Sequence, residues 1–151
     1  IFDREKGKWL SYNVKTKQTL PLNTSLPVSF VDEEFDMPDF PNSYGIASWT
    51  DNDESVIIRD RYDLWEFFLD GSKKPRNITN GFGRKNKITF DTYDLDKDIK
   101  SLNRKSTIYL SAFDNTTKAN GIFKTSIRKN SDPVKIQMEN GKSWIAPVFL
   151  L

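Results

Sequence analysis

The stretch that decides the fold runs from Ser48 to Thr79 and reads SWTDNDESVIIRDRYDLWEFFLDGSKKPRNIT. It packs a tight acidic turn, two apolar runs rich in aromatic and β-branched residues, and an Asp-Gly turn into one short segment. Runs of that length and composition, bounded by turn-forming residues, read as strands. The segment therefore divides into four: a first strand near YGIASWT, then SVIIRDRY, LWEFFLD and PRNIT.

The same pattern recurs on both sides. WLSYNVKTKQTLPLN from Trp9 and GIFKTSIRKNSDPVKIQ from Gly121 each show an apolar-aromatic strand, a short polar turn and a shorter strand, as LWEFFLDGSKKPRNITN does from Leu64. Trp9, Trp65 and Phe123 are spaced by 56 and then 58 residues, and Leu22, Ile78 and Ile136 repeat the same two intervals. KITFDTYD and TIYLSAFD supply the first two strands of the third unit, and SWIAPVFLL at the end reads as the first strand of a fourth. Pro38 to Pro41, Asp70-Gly71, Gly81-Phe82-Gly83, Asn120-Gly121 and Asn140-Gly141 punctuate the strands, and no long window carries the stripe of an amphipathic helix. Four short antiparallel strands repeated at this period are the signature of a β-propeller. A sandwich or small barrel also uses many short strands but needs no repeat. The expectation is an all-β chain forming an incomplete β-propeller of about two and a half four-stranded antiparallel blades. Residues 1–23 end one blade, 24–80 and 81–140 form two, and 141–151 start another.

Composition narrows the function. A chain of 151 residues supports one domain that buries roughly 70% of its unfolded surface. Aromatic residues at 13% argue for a packed core. The 23 basic and 21 acidic residues are interspersed, which leaves no footprint for a phosphate backbone, so nucleic acid is not an expected partner. There is no Cys and no His, so neither thiol nor Ser-His-Asp chemistry arises within these residues, and no cofactor is implied. The longest apolar run is too short to span a bilayer, and the N-terminus lacks the apolar core of a signal peptide. The chain starts without Met and stops inside an apolar run, as a segment of a longer polypeptide would.

Several clusters invite a functional reading. Asp51-Asn52-Asp53-Glu54 opens like a calcium loop, but Val56 and Tyr62 stand where Gly and a bidentate Glu are needed, so a turn is favoured and no metal is assigned. Asp32, Glu33, Glu34, Asp36 and Asp39 form the densest acidic run; a solvated loop is favoured over a carboxylate pair for glycoside hydrolysis. Gly81-Phe82-Gly83-Arg84-Lys85 lacks the spacing of a phosphate-binding fingerprint and reads as an inter-blade turn with Arg84 and Lys85 at its mouth. Asn23, Asn77 and Asn115 head glycosylation tripeptides that carry no weight in an Asn-rich chain. Trp9, Trp49, Trp65, Phe67, Tyr109 and Phe123 are expected to fill a core, with Ile57, Leu64, Leu69 and Ile108, rather than line a sugar groove. No catalytic residue is assigned.

Tyr44-Gly45-Ile46-Ala47-Ser48-Trp49, Asp60-Arg61-Tyr62-Asp63-Leu64-Trp65 and Asn77-Ile78-Thr79 through Lys85, continued by Leu110 to Asp114, carry a resemblance. The chain from about Pro38 to Ala146 resembles the N-terminal propeller of exported bacterial prolyl-oligopeptidase-family serine peptidases, relatives of dipeptidyl-peptidases. The resemblance implies a lid over a separate C-terminal α/β-hydrolase domain holding the Ser-Asp-His triad, with a peptide substrate between them. It also implies an exported, periplasmic or cell-surface location. No substrate-binding residue carries over, and Asp91 stands where the pattern has Arg. The alternative is a propeller-like module binding protein or glycan. An open-ended propeller is further expected to self-associate through its free blade edges.

Overall fold

The computed structural model describes residues 1–94 and 100–140, so SWIAPVFLL lies outside the described residues. The chain forms three antiparallel sheets. The first contains β1 (Phe2–Asp3), β2 (Lys8–Asn13) and β3 (Gln18–Pro21). The second is a meander of β4 (Ile46–Trp49), β5 (Ser55–Arg59), β6 (Leu64–Phe68) and β7 (Arg76–Asn77). A single helical turn, α1 (Phe82–Asn86), leads into the third. That sheet is the meander β8 (Ile88–Thr92), β9 (Thr107–Asp114), β10 (Asn120–Ser126) and β11 (Val134–Glu139). Strands in the second and third sheets fall where the apolar-aromatic runs place them.

The repeat holds at the level of register. In the second sheet Trp65 faces Asn77 and Glu66 faces Arg76; in the third, Phe123 faces Lys135 and Lys124 faces Val134. Adding 58 to the first pair of pairings gives the second. Between the first and second sheets, Phe2 opposite Trp9 and Asp3 opposite Lys8 become Ile58 opposite Trp65 and Arg59 opposite Leu64, at an offset of 56.

β5 and β6 are buried on both faces, which is why LWEFF is a continuous apolar run and does not alternate. One face, carrying Ile57 and Leu64, packs against Ile88, Phe90, Ile108, Leu110 and Phe123 of the third sheet. The other carries Val56, Ile58, Trp65 and Phe67 and is covered by Trp9 and by Phe30 from the long connection 22–45. Phe30 meets Trp65 and Phe67 edge-on at ring separations of 6.0 and 5.6 Å, a geometry that satisfies the ring quadrupoles. Each such fully buried side chain is worth about 1.5–3 kcal/mol.

The packing departs from a uniform succession of blades. Phe123 faces the preceding sheet, and Trp65, its repeat equivalent, also faces the preceding sheet. Trp9 occupies the same repeat position but faces forward, against Trp65's own face, and the neighbouring Ser11 hydroxyl donates to the Leu69 carbonyl at 2.7 Å. The first sheet is thus turned over relative to the other two. It also has three strands, with only two residues in its second-strand position, and this shortage frees it to lay its most apolar face down. The aromatic series divides accordingly: Trp9, Trp65, Phe67 and Phe123 are buried, whereas Tyr109 is half-buried and Trp49 is exposed.

Inversion leaves a signature on the tryptophans. The Trp65 Nε1–H donates to Asp60 Oδ2 at 3.0 Å. The residue 56 before Asp60 is Arg4, whose guanidinium turns outward to Asp39 at 2.9 Å and to the Phe40 carbonyl. The Trp9 Nε1 is left buried without a partner. Trp65→Phe is expected to destabilise the chain by about 1–3 kcal/mol more than Trp9→Phe, because it strands a buried carboxylate oxygen. Urea denaturation of both variants measures the difference, and equal losses would contradict it.

Candidate functional site

The residues that carry the family resemblance converge on the turn between β5 and β6. Asp60 opens it as a side-chain-capped turn, its Oδ1 accepting the Tyr62 and Asp63 backbone N–H groups at 2.7 and 2.8 Å. Asp63 closes it from the other side. Its Oδ1 accepts the Thr79 hydroxyl at 2.7 Å and the Gly83 N–H at 2.9 Å, and its Oδ2 accepts the Arg84 N–H at 3.0 Å. Thr79 Oγ1 in turn accepts the Leu64 N–H at 3.1 Å. RYDLW, the Asn-Ile-Thr ending and Gly-Phe-Gly-Arg-Lys are therefore three parts of one hydrogen-bond network.

The Gly-rich segment is a helical turn and not the plain inter-blade turn expected for it. Gly81 precedes it at φ 72°, Lys87 ends it in the same left-handed region, and its first N–H groups are satisfied by the Asp63 carboxylate. Gly83 is required there by space, since a Cβ would sit 2.7 Å from both the Ile88 and Tyr62 carbonyl oxygens.

Around this centre the charges are matched. Arg84 lies 3.5 Å from Asp60 Oδ1 and 3.6 Å from Glu33 Oε1, and both Arg84 and Arg61 lie 5.2 Å from the Tyr62 ring centroid. Arg61 also pairs with Glu33 at 3.5 Å and with Glu34. The acidic run is thus not merely solvated: Glu33, Glu34 and Asp39 answer Arg61, Arg84 and Arg4. Asp91, at the position where the resemblance has Arg, pairs with Arg59. Burial pushes the Asp91 carboxyl up, and the Arg59 charge draws it back toward the ordinary range. Burial likewise raises the Tyr44 phenol, whose oxygen accepts the Glu33 N–H at 2.9 Å.

A second charged centre escaped sequence reasoning. Glu66, in the middle of LWEFF, is fully buried. Its Oε1 accepts the Ser55 hydroxyl at 2.8 Å and Arg104 Nε at 2.6 Å, and its Oε2 accepts Arg76 at 2.9 Å. Arg76 continues to the Ile127 carbonyl, and Arg104 to Glu54 at 3.0 Å. The available signal was a lone carboxylate inside an otherwise apolar strand, which must be paired if it is buried.

The remaining candidates resolve locally. Asp51 to Asp53 form a 3-10 turn with Asn52 and Asp53 left-handed, and Asp51 accepts the Ser101 hydroxyl at 2.7 Å. Among the described residues no three His, Cys, Asp or Glu side chains are grouped to hold a metal ion. Asn23 is buried, accepting the Trp9 N–H at 2.9 Å, and the Asn115 amide donates to the Lys87 carbonyl at 2.9 Å. Chemically the central carboxylates are spent. Asp60, Asp63 and Glu66 each accept three hydrogen bonds, so the arrangement fixes loops and leaves none of the three poised as a base. Comparison with protein-family models, with curated proteins and with solved structures returned no match.

Two expectations follow from the Asp63 centre. Gly83→Ala should cost about 1–3 kcal/mol through overpacking against two carbonyls, read as a lowered urea midpoint. Asp63→Asn puts an amide donor against N–H and O–H donors and should cost about 1–3 kcal/mol at neutral pH. Burial holds the Asp63 carboxyl above its ordinary 3.8. The folded chain then binds its proton before the unfolded chain does, so this group adds stability as pH falls from its native pKa toward 3.8. The deficit of Asp63→Asn relative to the native chain should therefore widen on acidification, and a deficit that shrinks would contradict the assignment.

Proposed function

We propose that this chain is a noncatalytic β-propeller segment of a prolyl-oligopeptidase-family serine peptidase, acting as a lid that limits substrate access to a separate α/β-hydrolase domain. The observation that carries this reading is the shared register of two successive four-stranded antiparallel meanders at an offset of 58, stacked through unlike faces. Stacked four-stranded meanders are the building principle of propellers, which place their chemistry on loops or on a partner domain. The residues that resemble the peptidase propellers build the Asp60–Asp63–Arg84 network, which is structural in character and leaves hydrolysis to another domain. The absence of His from the chain agrees with a supporting role in a Ser-Asp-His enzyme. An exported location belongs to the same reading.

The second reading is a protein-binding module without an enzymatic partner. The exposed apolar groove beside the inverted first sheet favours it.

The deciding experiment is performed on the parent polypeptide. If the lid reading is correct, the full-length protein cleaves short peptides but spares folded proteins. Deleting residues 1–151 then relaxes that size limit or abolishes activity, while the isolated chain hydrolyses nothing. A reading frame that stops shortly after Leu151 without a Gly-x-Ser-x-Gly sequence overturns the lid.

A further inference from the structure

An open strand position lies along β2. In the second sheet, β5 covers the edge of β6 from Leu64 to Phe68. In the first, β1 covers only Lys8 and Trp9, and Ile1 adds one more step by exchanging N–H···O bonds with Leu10, both at 2.8 Å. Main-chain groups alternate along an antiparallel strand. Trp9 turns its carbonyl toward β3, where it accepts the Leu22 N–H at 2.8 Å, so Leu10 and Tyr12 turn theirs the other way. The Tyr12 N–H and C=O therefore point to the side that Ile1 does not reach.

Beside this edge runs a groove of about 500 Å³ between the first and second sheets. Its walls include Trp9, Tyr12, Ile46, Trp49 and Ile58. Tyr12 is 47% exposed, and Ile46 and Trp49 are each 38% exposed, an apolar cluster on an otherwise charged surface. An open strand edge with an adjacent apolar trough is the geometry of strand addition, where main-chain bonds give affinity and alternate side chains fill pockets.

We infer that this edge and groove bind an extended peptide strand from another polypeptide, antiparallel to β2 and apolar at alternate residues. The internal repeat specifies the occupant. Shifting by 56 places Ile1 on Ile57 and Tyr12 on Phe68, and Phe68 is paired with Ser55. The incoming strand thus stands where β5 stands in the second sheet, presents a backbone N–H to Tyr12 at the Ser55 position, and displaces or extends the two-residue β1. This inference does not depend on the parent being a peptidase.

The test uses a fluorescein-labelled peptide with the sequence of residues 53–60, DESVIIRD, titrated with the complete chain and followed by anisotropy. Saturable binding is expected. N-methylation at the serine of the peptide should weaken it about tenfold, the effect of losing one main-chain hydrogen bond. Ile46→Lys and Trp49→Lys alter exposed residues, so the fold should survive, as circular dichroism can check, while affinity falls at least as far. A scrambled peptide that binds equally well, or an N-methyl peptide that binds unchanged, overturns the inference. So does sedimentation showing a dimer that Trp49→Lys dissolves, because a second copy would then fill the groove.

Discussion

Everything in this molecule depends on the second sheet being covered on both faces. A sheet buried on one side tolerates a polar alternate face, but β5 and β6 offer water nothing except strand ends. That constraint forces the third sheet onto one side and a substitute onto the other. The substitute is a composite of Trp9 and Phe30, contributed by a short sheet and a loop, because the first sheet has too few strands to cover the face alone. Its inversion is the way three strands bring their largest aromatic to bear.

Placing Glu66 inside such a sheet is costly, and the cost is offset only by complete pairing. Its two guanidinium partners come from β7 and from the loop before β9, so the carboxylate stitches the outer strand of one sheet to the approach of the next. The tie complements the apolar contacts between Ile57, Leu64, Phe90 and Leu110, which are strong but indifferent to small shifts along the strands. A buried charge with three directional donors is not indifferent. It sets the alignment of the second and third sheets, as the parallel bridge between Thr50 and Leu102 does near the same loop.

Strand positions were legible because period-two alternation and aromatic enrichment act locally, and the repeat doubled the signal. TIYLSAFD is β9, residue for residue. The turn at Asp51 to Glu54 was legible for the same reason, since Asp and Asn announce left-handed backbone. What was not legible is relational. Nothing in WLSYN says which way its sheet will face, because Trp9 and Trp65 occupy equivalent sites and differ only in whether an Asp or an Arg stands five residues before them. The helical turn at Phe82 was hidden because its stability comes from Asp63, distant in sequence, and not from its own propensity. The ion pairs of the acidic run were hidden likewise, since Arg4 and Arg61 lie some 30 residues away on either side.

The Asp60 clamp has a kinetic consequence. Its three acceptor bonds span at most five residues, and the hairpin it closes pairs Arg59 with Leu64. Such contacts cost little loop-closure entropy, so they form on the timescale of an isolated hairpin, whereas covering that hairpin from the first sheet requires closing the 22–45 connection. The β5–β6 hairpin is thus the element around which the chain organises in time as well as in space. During synthesis it would emerge with both apolar faces bare, protected first by the sheet already made and only later by the one to come.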